Sequence, residues 1–328
     1  MLSNQFALFA SIVSWSLAQT YPGSENGNCF SQRLDFSDSN RIQRLQGSTD
    51  RSKADPTLYD FTLDVGSVEF ASSSAVFTLQ KGANHLADSA TMSSTRYIQY
   101  GRITAQYKPS GVPGVVTSFM TISDREGVAD SEKVHDEIDI EFTGNIPSIP
   151  QTNVFTYQTK HLERGSHGGN ISSTIDPNVA HQFTIDWRSD RLDWLVDGQI
   201  VKTISKSTSR ANLSDSLPEG TPWFPTEPSR ISFGMWDGSD QAGWTGGPVD
   251  WNKTPKATVQ FDYFDIQCYD SNNNPVPKWP LDSPDPVKVP HGHTNSSQHN
   301  ALPSSSYPNS APTVFAIFLL ATLTFMLF

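Results

Sequence analysis

The run His-Asp-Glu-Ile-Asp-Ile-Glu-Phe at residues 135–142 restricts this chain more than any other stretch. Glu137, Asp139 and Glu141 alternate with Ile138 and Ile140. A period of two is that of a β-strand, whose successive side chains point to opposite faces. The isoleucines therefore belong to a core face and the three carboxylates to the other. Three acids stacked along one strand face repel one another and oppose folding. A solvated strand face has no need of so pure a set of carboxylates between β-branched core residues, so the trio points to chemistry. With a rise of about 3.3 Å per residue, the Glu137 and Glu141 Cα atoms lie about 13 Å apart, and side chains leaning together close much of that gap. Retaining glycoside hydrolysis uses carboxyl groups about 5–5.5 Å apart, a pair that one strand can supply. In that chemistry Glu137 is the expected nucleophile and Glu141 the expected acid and base, with Asp139 between them to orient the nucleophile. Acidic neighbours should raise the pKa of Glu141 so that it is protonated when needed. His135 shares the face by parity and reads as a polar strand-edge residue.

The surrounding chain reads as all-β. Alternating or β-branched runs recur at 61–65, 75–79, 97–107, 115–122, 153–157, 182–187, 192–196, 200–204, 230–236 and 257–268, separated by Gly, Pro, Asp and Ser clusters. Asp197-Gly198 between two of them is a hairpin signal. No long amphipathic helix and no internal repeat interrupts them. The expectation is a sandwich of two antiparallel sheets with one concave face, over residues 19–271. Residues 272–306 are rich in Pro, Ser and Asn and read as a linker, in which His291, His293 and His299 are solvated rather than metal ligands.

The ends of the chain point to export. Residues 1–18 hold a short apolar run closed by Ser16-Leu17-Ala18, which suits cleavage before Gln19. The C-terminus is apolar from Val314 to Phe328 with no basic residue after it, and a small-residue cluster in a polar stretch precedes it. That pattern reads as a glycosylphosphatidylinositol (GPI) attachment signal over 307–328, with Ser304 the expected attachment residue and Ser305 next. A tail-anchored helix is the alternative, but the apolar tail falls short of the roughly 20 residues needed to span a bilayer. Asn170, Asn212, Asn252 and Asn295 each open an N-glycosylation sequon. The only two cysteines, Cys29 and Cys268, lie near the two ends of the candidate domain, where export permits a disulfide between them. A formal net charge of −11 argues against nucleic acid and anionic membrane surfaces as partners and suits a neutral polysaccharide.

A sugar groove also requires aromatic platforms. Trp236 and Trp244 stand among glycines, which suits exposed stacking surfaces on loops. Trp187 and Trp194 alternate with polar residues, and at least one of them belongs to a core. Asn153, Phe155 and Tyr157 share a strand face. Asn153, Tyr157, Trp187, Trp236 and Trp244 are the candidate substrate-binding residues. No metal and no cofactor is called for.

The segment Glu137-Ile138-Asp139-Ile140-Glu141 resembles the catalytic signature of glycoside hydrolase family 16. Tyr100-Gly101-Arg102-Ile103, Gln151-Thr152-Asn153 and Phe183–Gly198 are similar to strands around that family's active site. The segment Met235–Gly238 with Gly243–Trp251 resembles, more narrowly, the fungal Crh-type cell-wall enzymes, which are GPI-anchored chitin–glucan transglycosylases. The resemblance implies a concanavalin A-like β-jelly-roll, catalysis by Glu137, Asp139 and Glu141, and sugar subsites at Trp236 and Trp244. The expected activity is a retaining glycosidase or transglycosylase on β-1,3-glucan or chitin at the cell surface or in the wall. The alternatives are an endo-β-1,3(4)-glucanase and a non-catalytic glycan-binding wall protein; three crowded carboxylates have no purpose in the latter.

Overall fold

The structure, a computed structural model, describes residues 23–287 except 25, 46–53, 83–88, 124–135, 160–161, 167–168, 171–172, 211–218 and 221. In chain order its strands are β1 (Cys29–Phe30), β2 (Gln32–Asp35), β3 (Ile42–Arg44), β4 (Phe61–Val65), β5 (Ser67–Ala71), β6 (Ser74–Gln80) and β7 (Ala90–Ile98). There follow β8 (Gly101–Lys108), β9 (Val115–Ile122), β10 (Asp136–Thr143), β11 (Gln151–Thr159), β12 (Leu162–Ser166), β13 (Gly169–Asn170) and β14 (His181–Trp187). The last are β15 (Arg191–Val196), β16 (Gln199–Ser205), β17 (Ser229–Asp237), β18 (Lys256–Tyr269), β19 (Pro275–Val276) and β20 (Lys278–Trp279). A four-residue helix, α1 (Ala242–Thr245), follows β17.

Among the described residues, two nine-stranded sheets face each other. The front sheet runs β12-β11-β10-β9-β17-β7-β4-β3, with β13 beside β11; the back sheet runs β16-β15-β14-β8-β18-β6-β5, with β2 and β19 beside β18. The pairing is antiparallel apart from β3 on β4. The expected two-sheet jelly roll is thus the fold found.

The core lies between the sheets and is aromatic at its centre. Phe233 of the front sheet meets Phe264, Phe261, Phe61 and Phe77 at centroid distances of 4.5, 5.1, 5.3 and 5.6 Å. Each such ring contributes roughly 1.5–3 kcal/mol by leaving water. The acidic strand β10 is held by its other face: Ile138, Ile140 and Phe142 are buried. Phe142 packs edge-on against Phe183 at 5.0 Å and Tyr107 at 6.1 Å, both from the back sheet. The back sheet's β8 alternates in the same way. Its Ile103, Ala105 and Tyr107 point inward. Its Arg102, Thr104 and Gln106 point out to Asp186, Thr184 and Asp262.

The folded domain continues past residue 271, beyond the expected start of the linker. Cys268 pairs with Val276 through β18–β19, and Cys29 with Trp279 through β1–β20. Lys278 Nζ donates to the Ser283 carbonyl at 2.9 Å and pairs with Asp285, and the Val287 N–H reaches the Thr57 carbonyl at 2.8 Å. Composition suggested a linker here, but these backbone bonds fasten the segment to both chain ends of the sandwich. The signal and attachment segments, Asn212, Asn295, Ser304 and His135 lie outside the described residues. Asn252 sits exposed on a turn.

Cys29 and Cys268 form a disulfide across 239 residues, with Cα atoms 6.0 Å apart. Closing so long a loop restricts the unfolded chain, worth about 3–5 kcal/mol on the loop-entropy account. The double variant Cys29→Ala/Cys268→Ala should lose stability of that order in a denaturant titration, and the unreduced wild-type protein should show no alkylatable thiol. Two reactive thiols, or an unchanged midpoint, would contradict the bond.

Candidate active site

The register of the front sheet sets out the site in rows across its outer face. Glu137 lies across from Phe155 of β11 and Ile122 of β9, and Ile122 from Arg230 of β17. Asp139 lies across from Asn153 and Met120, and Met120 from Ser232. Glu141 lies across from Gln151 and Ser118, and Ser118 from Gly234. Thr143 and then Trp236 flank Val116 in the row beyond. Strand parity thus brings the three carboxylates onto one face, as the sequence indicates.

Glycine is required at 234. Its φ is +148°, and a Cβ there would lie 2.1 Å from the Ala90 carbonyl oxygen. The row through Glu141 therefore carries no side chain at that point, where the backbone of β7 closes up against Gly234. Further along the same face the floor is polar: Arg230 donates to Ser93, Ser93 to Asp64, and Thr62 to Asp64 at 2.7 Å.

Glu137 and Asp139 are buried and Glu141 is partly so. Asp139 is held well above the usual carboxylate range, first by burial, then by the charges of Glu137 and Glu141 and by its hydrogen bond to Glu137. A protonated Asp139 can donate that bond and leave the charge on Glu137. Glu141 is pushed up to about 8 by burial and by the charge of Glu137. The Trp236 indole N–H acts in the opposite sense on Glu141. It lies near the carboxyl without a hydrogen bond of ordinary geometry. The expected high pKa of Glu141 is therefore present, with burial a larger cause than the acidic neighbours invoked from sequence.

Trp236 and Trp244 stand together at the Glu141 end, ring centres 5.8 Å apart and planes 39° apart. Both keep part of their surface exposed. Asn153 flanks Asp139, its side-chain oxygen accepting from the Val154 N–H at 2.9 Å. Phe155 is buried beside Glu137. Tyr157 and Asn170 lie on described backbone of β11 and β13, but their side chains lie outside the described residues.

Trp187 is not a substrate-binding residue. It is fully buried in the back sheet, its indole N–H donating to the Pro225 carbonyl at 3.2 Å and its ring edge-on to Tyr100 at 5.3 Å. It shares a strand face with Phe183 and Ile185, so its parity is that of the core. Trp194 is equally buried, and its Nε1 donates across the core to the Asp139 main-chain carbonyl at 3.0 Å. Lys202 lies 5.2 Å over the Trp194 ring and donates to Thr152 at 3.0 Å. The back sheet thus braces the acidic strand from behind.

Residues 56–253 match the family described as Glycosyl hydrolases family 16. The chain belongs to that family. It is 28% identical over 229 residues to Crh-like protein UTR2 of Candida albicans, covering 68% of this chain and 44% of the relative. It is 31% identical over 192 residues to Crh-like protein 2 of Aspergillus fumigatus, covering 55% and 40%. The chain therefore spans less than half the length of these curated relatives. Among solved structures, the apo Crh5 transglycosylase aligns with a TM-score of 0.54 at 22% identity, covering 79% of this chain and 91% of that one. The laminarinase catalytic domain of Thermotoga maritima aligns at 0.53 and 18%, covering 74% and 98%. At such identities the likeness shows the fold.

Several residues that share the carboxylate face of this candidate site are not singled out by sequence reading. Gln151, Ser118, Met120, Ser232, Arg230 and Thr143 become visible as site residues once the strands are paired. Of these, Gln151 is reached by sequence signals, its parity with Asn153 and its place in the Gln151-Thr152-Asn153 resemblance.

The raised pKa of Glu141 has a consequence for stability. The unfolded chain ionises this group near 4.5, the folded protein near 8. Its contribution is therefore complete below pH 4.5 and is lost as pH rises through 8. Glu141→Gln should melt at least roughly 2 °C above wild type at pH 8, the gap closing toward pH 4.5. Equal melting temperatures across that range would refute the assignment.

Proposed function

We propose that this family 16 domain is a retaining transglycosylase or glycosidase acting on β-linked wall polysaccharide, β-1,3-glucan or chitin. The observation that carries the reading is the carboxylate trio on one strand face, with Asp139 and Glu141 biased toward the protonated state and Asp139 hydrogen-bonded to Glu137. Glu137 attacks the anomeric carbon and forms an ester to C1. Glu141 gives its proton to the departing glycosidic oxygen, so the C1–O bond breaks without releasing an alkoxide. Asp139 donates a hydrogen bond to Glu137, orienting it and moderating its charge. In the second half, Glu141, now a carboxylate, takes the proton of an incoming hydroxyl. The new C1–O bond forms as Glu137 leaves as a carboxylate. If the incoming hydroxyl is that of a sugar, the product is a transferred chain; if it is water, the product is a hydrolysed one. The Crh-like relatives, and a Crh5 transglycosylase of the same fold solved in complex with NAG, support a glycan partner and the transfer branch of this reading. Trp236, Trp244 and Asn153 are the residues best placed to bind it.

We also propose that the mature protein lies outside the plasma membrane, GPI-anchored through Ser304 and glycosylated at Asn170, Asn212, Asn252 and Asn295; the apolar run within 1–18, the apolar segment 314–328 behind a small-residue cluster, and the four sequons support this. The exposed position of Asn252 is compatible with modification.

Incubating the secreted protein with β-1,3-glucan or chitin oligosaccharides and a labelled acceptor tests the activity: longer labelled products mean transfer, shorter ones hydrolysis. Glu137→Gln should lower kcat by about 10³-fold or more with the fold retained, because it removes the nucleophile and keeps the shape. Activity within about tenfold of wild type would exclude Glu137 as the nucleophile. For the anchor, phosphatidylinositol-specific phospholipase C should release the protein from membranes when the inositol is unacylated. Recovery of peptides covering 314–328 from the membrane-bound form would rule it out.

A further inference from the structure

Gln151 faces Glu141 across the β10–β11 ladder and does more than fill a polar position. Its Oε1 accepts from Trp244 Nε1 at 2.7 Å, and its Nε2 donates to Thr143 Oγ1 at 3.2 Å. Thr143 is buried, two residues beyond Glu141 on the same strand face. One amide therefore joins the acidic strand to an aromatic ring carried on a different element. Indole has a single N–H donor, so this bond fixes which way the Trp244 ring turns. The backbone around Trp244 is already fastened. The Gly114 N–H reaches the Thr245 carbonyl at 3.0 Å, and the Gly246 N–H closes α1 onto Ala242 at 3.0 Å. Gly246 itself is left-handed at φ +86°, and a Cβ there would meet the Asn145 side chain at 2.4 Å. What remains to be set is the ring, and Gln151 sets it.

The ring matters because of where it stands. Trp244 and Trp236 meet at 39° to form a bent wall, and the indole N–H of Trp236 lies by Glu141. On the double-displacement reading above, Glu141 deprotonates the incoming hydroxyl, so the incoming molecule must sit against this wall. Water needs no wall. A sugar ring does, since stacking on an indole orients its hydroxyls. We propose that Gln151 is a positioning residue for the acceptor sugar: by holding the Trp244 ring it favours transfer to a sugar over hydrolysis. This rests on the retaining reading of the site.

The test compares wild type, Gln151→Met and Gln151→Glu. Each is given a β-1,3-glucan oligosaccharide donor and labelled β-1,3-glucan or chitin oligosaccharide acceptors, and both products are counted. Met fills the space but offers the indole no oxygen acceptor. Glu keeps an acceptor oxygen for Trp244 and adds a carboxylate beside Glu141. Gln151→Met should lower the ratio of transfer to hydrolysis about tenfold and raise the acceptor KM more than the donor KM. Gln151→Glu should keep the ratio within about threefold of wild type and move the alkaline limb of its pH profile upward, since a second negative charge favours the protonated form of Glu141. Equal losses of both products in Gln151→Met, with a lowered melting temperature, would reduce Gln151 to a structural tether and overturn the proposal. An unchanged ratio in Gln151→Met alongside wild-type transfer would overturn it while leaving the retaining reading intact. Wild-type cleavage of the donor without any labelled transfer product would overturn the acceptor role and the transfer reading together, whereas a wild type inert on every donor would overturn the enzymatic reading itself.

Discussion

Burial of one face of β10 is the interaction on which the rest of the site depends. Three carboxylates on the opposite face work against this strand, and Ile138, Ile140 and Phe142 offset them by leaving water. Phe142 reaches Phe183 and Tyr107 of the other sheet, and Trp194 reaches back to the Asp139 carbonyl. The acids are thus held at a strand's spacing by contacts made behind them. A loop could not keep three crowded carboxyl groups in line, because nothing would resist their separation.

The crowding sets the chemistry. Acids on a buried face share fewer charges than they have carboxyls, since burial and mutual repulsion both disfavour ionisation. Asp139 and Glu141 are shifted upward, and Asp139 donates its proton toward Glu137. The upward shift of Asp139 and Glu141 thus follows from packing, and it is the bias toward the protonated form that the proposed double displacement asks of its acid.

The trio was legible because its period is two and its sequence alternates acids with isoleucines, so no partner strand had to be known. The all-β class was legible for the same reason. Trp187 stands in the core and not in the groove because its parity is that of Phe183 and Ile185, both core residues, whatever its polar neighbours suggest. Gln151 could not be ranked from sequence: an amide carries no charge signal, and its role arises from a helix that folds back from residues 242–245. The stretch after residue 271 has linker composition, but its backbone groups find partners on β18 and β1 that only the folded sandwich offers. Local pattern reveals what one strand does alone; what two distant segments do together becomes visible only when they are paired.

The closure of the chain by Cys29, Cys268 and the β1–β20 pairing also has a mechanical meaning. Tension applied to the chain beyond residue 287 first meets the Val287 bond to Thr57 and then the short strands at 275–279, which pair with β18 and β1. Those bonds could unzip one at a time, but β1 is covalently joined to β18, a fourteen-residue strand in the middle of the back sheet. A pull that passes those bonds is thereby shared between β1 and β18, and through β18 with its neighbours β8 and β6, whereas the acidic strand belongs to the other sheet.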